Sequence, residues 1–206
     1  MKYAVNAAIL AAAVIGSYAA YRMLLAPPPA APPAAQAPVD EAEQRPAPAE
    51  QLPDFSLANL AGESQSIYSW PGDALVINFW ATWCAPCLRE IPLLRSFQDE
   101  QRDSRVTVVG IAVDRADPVA AFAEEMSFNY PILVGQAEGM EAAASFGVAF
   151  FALPFTVFVD HDRNVLGVHT GELHAEDLEN LAAVLASLER GDIDVDTARA
   201  RVAGRI

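Results

Sequence analysis

The chain has 206 residues, 53% of them hydrophobic, which is enough for one packed domain with length to spare and excludes a wholly disordered or fibrous chain. Two cysteines cannot build a multi-bridge disulfide scaffold, so they read as chemistry. Thirteen basic against 27 acidic side chains give a net charge of −14, which repels nucleic-acid phosphate and anionic lipid heads and predicts no nucleic-acid partner.

The first segment, Tyr3 to Tyr21, is an apolar run in which only Asn6 and Ser17 are polar, bracketed by Lys2 and Arg22. As a helix it is about 28 Å long, close to the ~30 Å hydrocarbon thickness of a bilayer. Residues 1–25 therefore read as a single membrane anchor or, alternatively, as a cleaved signal peptide with Ala7 to Ile15 as its apolar core. The length of the run favours the anchor. In either case the rest of the chain is expected outside the cytoplasm, with Lys2 and the amino terminus inside. Residues 26–50 are dominated by Ala and Pro, with eight prolines between Pro27 and Pro48, and read as a semi-rigid polyproline spacer.

From about Leu52 short apolar runs alternate with helical stretches. Ala74 to Trp80 and Arg105 to Val113 are apolar on both sides, as central strands covered on both faces should be. Between them Cys87 to Gln101 reads as a helix with Ile91, Leu94 and Phe97 on one face. Pro118 to Met126 reads as a second helix, with Asp117 as its N-cap and Pro118 at the first helical position. A strand at Ile132 to Val134, a helix near Met140 to Phe146 and a strand at Phe155 to Val159 follow. The turn His161-Asp162-Arg163-Asn164 leads into a strand at Val165 to His169, and Ala175 to Leu188 closes as an amphipathic helix. The expected fold is an α/β domain over residues 51–190, a central mixed sheet flanked by helices. Residues 191–206 read as a charged carboxy-terminal tail.

Trp83-Cys84-Ala85-Pro86-Cys87 falls where a strand ends and a helix begins. Free N–H groups at that junction stabilise a thiolate, so Cys84 is the expected nucleophile and Cys87, one turn on, the resolving thiol. Pro86 suits the first turn, where its missing N–H costs nothing. Zinc needs four ligands, or three plus water. With no second cysteine pair, and with His161, His169 and His174 expected at the surface of the far end, no metal is expected.

The segment Asn78-Phe79-Trp80-Ala81-Thr82-Trp83-Cys84-Ala85-Pro86-Cys87-Leu88-Arg89-Glu90-Ile91-Pro92 resembles the active-site stretch of TlpA/ResA-type thioredoxin-like disulfide reductases, relatives of the cytochrome c maturation thioredoxins. The resemblance covers about Leu52 to Leu188 and includes Leu153-Pro154-Phe155-Thr156, similar to the family's cis-proline loop. It implies a thioredoxin-like fold, a cis Pro154, and a backbone at Leu153 that receives an incoming peptide as an added strand. An ordinary trans proline at a strand start is the alternative. The resemblance also implies that Glu90 takes the acid/base role that ordinary thioredoxins give to a buried aspartate, whose place Asn78 occupies here. Burial would raise the Glu90 pKa and suit it to take the Cys87 proton; an exposed glutamate paired with an arginine is the plainer reading. Pro92 should kink the helix. Trp80 is expected to pack on the core, and Trp83 to touch partner proteins together with Pro86, Leu153 and Pro154. Phe150 and Phe151 depart from the family pattern and fit either a partner groove or core filling.

The function expected is an extracytoplasmic thiol–disulfide oxidoreductase working mainly as a protein disulfide reductase. It needs no cofactor beyond the Cys84–Cys87 pair. It would sit at the inner membrane as a single-pass protein facing the periplasm, take electrons from a membrane thiol transporter, and pass them to oxidised clients with cysteine pairs, such as proteins of cytochrome c or copper-site maturation. A disulfide oxidase or isomerase is the rival within the class. A copper chaperone using both cysteines as soft ligands is the rival outside it. A peroxidase is disfavoured because Ala81, not Thr, lies three residues before Cys84.

Overall fold

A computed structural model describes residues 17–18, 21–22, 49–147 and 152–204. The chain divides into two units, residues 1–43 and 44–206, and every element named here belongs to the second. The membrane helix expected over residues 3–21 lies almost wholly outside the described residues, as do most of the linker and both Phe150 and Phe151. Among the described residues no helix is long and apolar enough to cross a membrane.

The elements in order are β1 (Ser56–Asn59), β2 (Ser64–Ser66), β3 (Ala74–Trp80), α1 (Ala85–Glu100), β4 (Val106–Ala112), α2 (Ala116–Met126), β5 (Ile132–Val134), α3 (Ala137–Ser145), β6 (Phe155–Val159), β7 (Val165–Thr170), α4 (Ala175–Glu189) and α5 (Val195–Ala203). They form one mixed sheet in the order β2-β1-β5-β4-β3-β6-β7. The pairs β3·β4 and β4·β5 are parallel and the rest antiparallel. This is the thioredoxin-like α/β architecture, with β4 at the centre and β3 between it and β6, all seven residues of β3 buried.

Alternation along the strands divides the core in two. Val76 and Trp80 of β3, Val108 of β4 and Phe158 of β6 face one side, where they meet Ile91, Leu94 and Phe97 of α1 and Leu178, Leu181 and Val184 of α4. Leu75, Ile77 and Phe79, with Val109, Ile111, Phe155 and Val157, face the other side and meet Ala142, Ala143 and Phe146 at α3. Trp80 is buried against Phe122 and Phe128, at centroid distances of 5.6 and 5.4 Å.

Several expectations are corrected. Helix α2 begins at Ala116, so Asp117 lies in its first turn and is not the N-cap; Arg115 flanks the start without a side-chain cap. Proline is tolerated through the first turn because those N–H groups lack intrahelical partners, so Pro118 did not mark the first helical position. Helix α3 starts three residues before the expected Met140, because Gly139 lies inside it and packs against Val113. The hairpin β1–β2 was not foreseen; its strands are short and only partly buried.

The charged tail is also replaced by structure. Asp194 caps α5 by accepting from Thr197 N (2.8 Å), and Ala198 and Val202 are buried. Val202 lies over Gly167 of β7, where an added Cβ would stand 2.7 Å from Val202 Cγ1. Arg199 ties the helix down by donating to the carbonyls of Val165 and Glu50, both at 2.9 Å. Only two buried side chains per nine-residue helix carry this docking, too few to register as an apolar period.

Candidate active site

The carboxyl end of β3 delivers the chain to the start of α1. Cys84 is the N-cap of that helix: its backbone is extended, and its Sγ accepts from Cys87 N at 3.4 Å. Cys84 and Cys87 form a disulfide with an S–S distance of 2.04 Å and a Cα separation of 5.3 Å. Cys87 is fully buried, whereas Cys84 retains 5% exposure beside Trp83, which is 70% exposed. An attacking or departing thiol therefore meets Cys84 first. Pro86 lies in the first helical turn, and the helix continues through Pro92 to Glu100.

The loop before Cys84 is held by a residue that sequence reasoning missed. Asp114 accepts from Thr82 N (3.2 Å), Thr82 Oγ1 (2.6 Å) and Arg115 N (2.8 Å). These bonds to the charged form outweigh its partial burial and hold its pKa below the ordinary aspartate value. The register of β3 and β4, with Trp80 opposite Ala112, puts Thr82 beside Asp114 when both chains run on in parallel, and that continuation is the signal that could have found it.

Glu90 is buried, at 1% exposure, on the inner face of α1 that also carries Cys87 and Ile91. The exposed-glutamate reading is thereby excluded. Its Oε1 accepts from Asn78 Nδ2 (2.7 Å), and its Oε2 accepts from Leu173 N (2.8 Å). Asn78 also donates to Thr156 Oγ1 (3.0 Å), its cross-strand partner on β6. Desolvation pushes the Glu90 pKa up to about 7, even though the Leu173 and Asn78 bonds pull it down. A carboxyl group that changes charge near neutrality is thus built one helical turn beyond Cys87. Neither Thr156 nor Leu173 was expected in the Glu90 cluster, although Thr156 was read as part of the cis-proline loop, and a backbone N–H leaves no mark in a sequence.

The Leu153–Pro154 bond is cis. Pro154 is buried, Leu153 half-buried, and the Pro154 carbonyl accepts from Gly171 N at 2.9 Å. Gly171 has φ +108°, a left-handed conformation that glycine adopts without penalty. Contrary to expectation only His174 is exposed; His161 and His169 are half-buried, their ring nitrogens 3.0 Å from Gly72 O and 3.2 Å from Glu172 O.

Comparison with known proteins agrees with this geometry. The Redoxin family profile matches residues 47–185. The chain is 33% identical over 134 residues to the thioredoxin-like protein YneN of Bacillus subtilis, covering 63% of this chain and 75% of that one. It is 31% identical over 130 residues to the thiol-disulfide oxidoreductase ResA of Geobacillus kaustophilus, covering 62% and 71%. Among solved structures, a thioredoxin-family thiol:disulfide interchange protein from Chlorobium tepidum superposes with a TM-score of 0.60 at 27% identity, over 68% of this chain and 97% of that one. With a cysteine pair at a helix N-terminus on a thioredoxin-like sheet, the chain belongs to the Redoxin family and is a thiol–disulfide oxidoreductase of the ResA type.

Proposed function

We propose that the chain works as a protein disulfide reductase outside the cytoplasm, tethered by its amino-terminal apolar segment. The observation that carries this reading is the pairing of a buried Cys87 with a buried carboxyl, Glu90, on the same helix face behind a more accessible Cys84. In the reduced state the Cys84 thiolate attacks one sulfur of a client disulfide. The Cys84–client mixed disulfide forms, and the first client thiolate leaves and takes a proton from water. Glu90 then takes the Cys87 proton, and the Cys87 thiolate attacks Cys84 Sγ. The Cys84–Cys87 bond closes, and the second client thiolate departs and is protonated. Two electrons have passed from the dithiol to the client. Clients dock along Leu153 and cis Pro154 as an added strand, with Trp83 and Pro86 at the contact.

What supports the reductase direction is the residue between the sulfurs. Pro86 places no cation between them, so the Cys84 thiolate lacks the stabilisation that makes a strong oxidant. The electron donor is a membrane thiol transporter, and the clients are oxidised cysteine pairs of the kind found in cytochrome c or copper-site maturation. The test is the reduction potential of the Cys84–Cys87 pair, read by tryptophan fluorescence against defined dithiol/disulfide ratios. A value near −270 mV or somewhat above it supports a reductase, and a value near −120 mV overturns that direction in favour of an oxidase.

A further inference from the structure

Residues 171–174, between β7 and α4, connect the two halves of the site. Gly171 N donates to the Pro154 carbonyl of the cis-proline loop (2.9 Å). Leu173 N donates to Glu90 Oε2 (2.8 Å). Between them, the Glu172 carbonyl lies 3.2 Å from His169 Nε2. The Glu172 carboxylate takes a two-oxygen contact from Arg89 of α1, with Arg89 Nε at 3.1 and 3.0 Å from Oε1 and Oε2 and the Arg89 Nη2–Oε2 ion pair closing the fork. Arg89 is the immediate neighbour of Glu90 in the chain, and Glu172 of Leu173. The ion pair therefore runs beside the Glu90–Leu173 bond and spans the same gap between α1 and the segment.

We propose that Arg89 and Glu172 are positioning residues for Glu90: their ion pair holds the Leu173 N–H on the Glu90 carboxylate and so sets how readily that carboxylate takes a proton. The consequence for turnover rests on the reading of Glu90 as the acceptor of the Cys87 proton. A forked arginine–carboxylate pair fixes direction as well as distance, which a point charge does not. The segment is also held by the buried Leu173 side chain and by His174 N, which donates to Asp177 Oδ2 (2.8 Å); the ion pair is the tie that substitution of Arg89 on α1 releases without touching Glu90 itself.

The charged and titratable groups around Glu90 are its chain neighbour Arg89, Tyr130 ahead of β5 (which Arg95 of α1 also faces), and Glu172 and His174 on the segment; Asn78 and Thr156 on the sheet are neutral. Releasing the segment removes a donor from the charged carboxylate and moves its titration upward. Deleting a charge acts separately and with opposite signs for the two partners: loss of Arg89 raises Glu90, and loss of Glu172 lowers it. The Leu173 bond acts on Glu90 more strongly than the Glu172 charge does.

The test is a carbon-13 NMR titration of the Glu90 carboxyl in the oxidised protein, for Arg89→Met, Glu172→Ala and Arg89→Lys, with hydrogen exchange at Leu173 N–H and the pH profile of client reduction alongside. Positioning predicts an upward shift of roughly half to one pH unit in both Arg89→Met and Glu172→Ala. It also predicts at least tenfold faster exchange at Leu173, and partial recovery in Arg89→Lys. A downward shift in Glu172→Ala means that only through-space charge is at work and overturns the proposal. So does a lowered melting temperature with the Glu90 midpoint and Leu173 exchange unmoved. If Glu90→Gln leaves the pH profile of reduction unchanged, the proton-acceptor reading of Glu90 fails by itself, while the carboxyl titration still decides the positioning.

Discussion

The two faces of the central sheet come from the same strands and have different compositions. On the face covered by α3, Leu75, Ile77 and Phe79 of β3 lie beside Phe155, Val157 and Val159 of β6, and all of them are apolar and buried. Phe79 stacks on Phe155 with centroids 4.3 Å apart and meets Phe146 edge-on. On the opposite face the same two strands put Asn78 and Thr156 at one level, and α1 lowers Glu90 onto them. That level lies below the disulfide, because β3 leads directly into the cysteine loop. One face is thus a continuous apolar layer, and the other carries a polar patch whose three members bond to one another and, through Glu90, to Leu173 N. A buried, hydrogen-bonded patch of this kind costs stability and is retained where its chemistry is used.

Substitutions on the two faces should separate accordingly. The largest effect is expected for Cys84→Ser, which leaves both faces intact and should abolish turnover with client disulfides; any sustained turnover would remove Cys84 as the nucleophile. Phe79→Ala opens a cavity in the apolar layer and should cost about 3–5 kcal/mol by denaturant unfolding, while the pH dependence of exchange in the folded fraction stays as in the parent. A changed pH profile there would mean that the two faces are coupled.

Glu90→Gln acts on the polar face alone. With the folded pKa pushed up to about 7, above that of an unfolded glutamate, Glu90 favours the folded state below the unfolded pKa. That contribution is lost as pH rises towards 7. The oxidised protein should therefore lose about 3 kcal/mol between pH 4.5 and 7 relative to Glu90→Gln, measured as the difference between their stability–pH curves. The same substitution should slow client reduction about 100-fold near neutral pH and flatten its pH dependence. Parallel stability curves would place the Glu90 titration outside this range. The smallest effect belongs far from either patch. Arg199→Ala should cost about 1 kcal/mol by releasing α5 from the Val165 and Glu50 carbonyls, with the rate of exchange unchanged.

How far sequence alone reached varied with how local the signal was. Strands β5 and β6 have the bounds read from their apolar runs, and β3 likewise, because a fully buried strand shows itself as an unbroken hydrophobic stretch. Helix starts fared worse. Pro118 was read as the first helical position but sits inside a helix whose first turn tolerates it, and the helix expected from near Met140 begins at Ala137. The β1–β2 hairpin and α5 were missed since each buries only one or two side chains against elements distant in the chain.

The chemistry divides in the same way. The strand-to-helix position of Cys84 and Cys87, and the candidacy of Glu90, were legible because strand, loop and helix are contiguous and the i, i+3 spacing is set by helical geometry. The tertiary structure alone decided what those groups meet. The Asn78 amide and the Leu173 N–H on the Glu90 carboxylate, the Asn78–Thr156 cross-strand bond, and Asp114 on the Thr82 loop all join residues from 12 to 83 positions apart. A pKa depends on dielectric and on donors within about 3 Å, and those are fixed only when separate segments pack together.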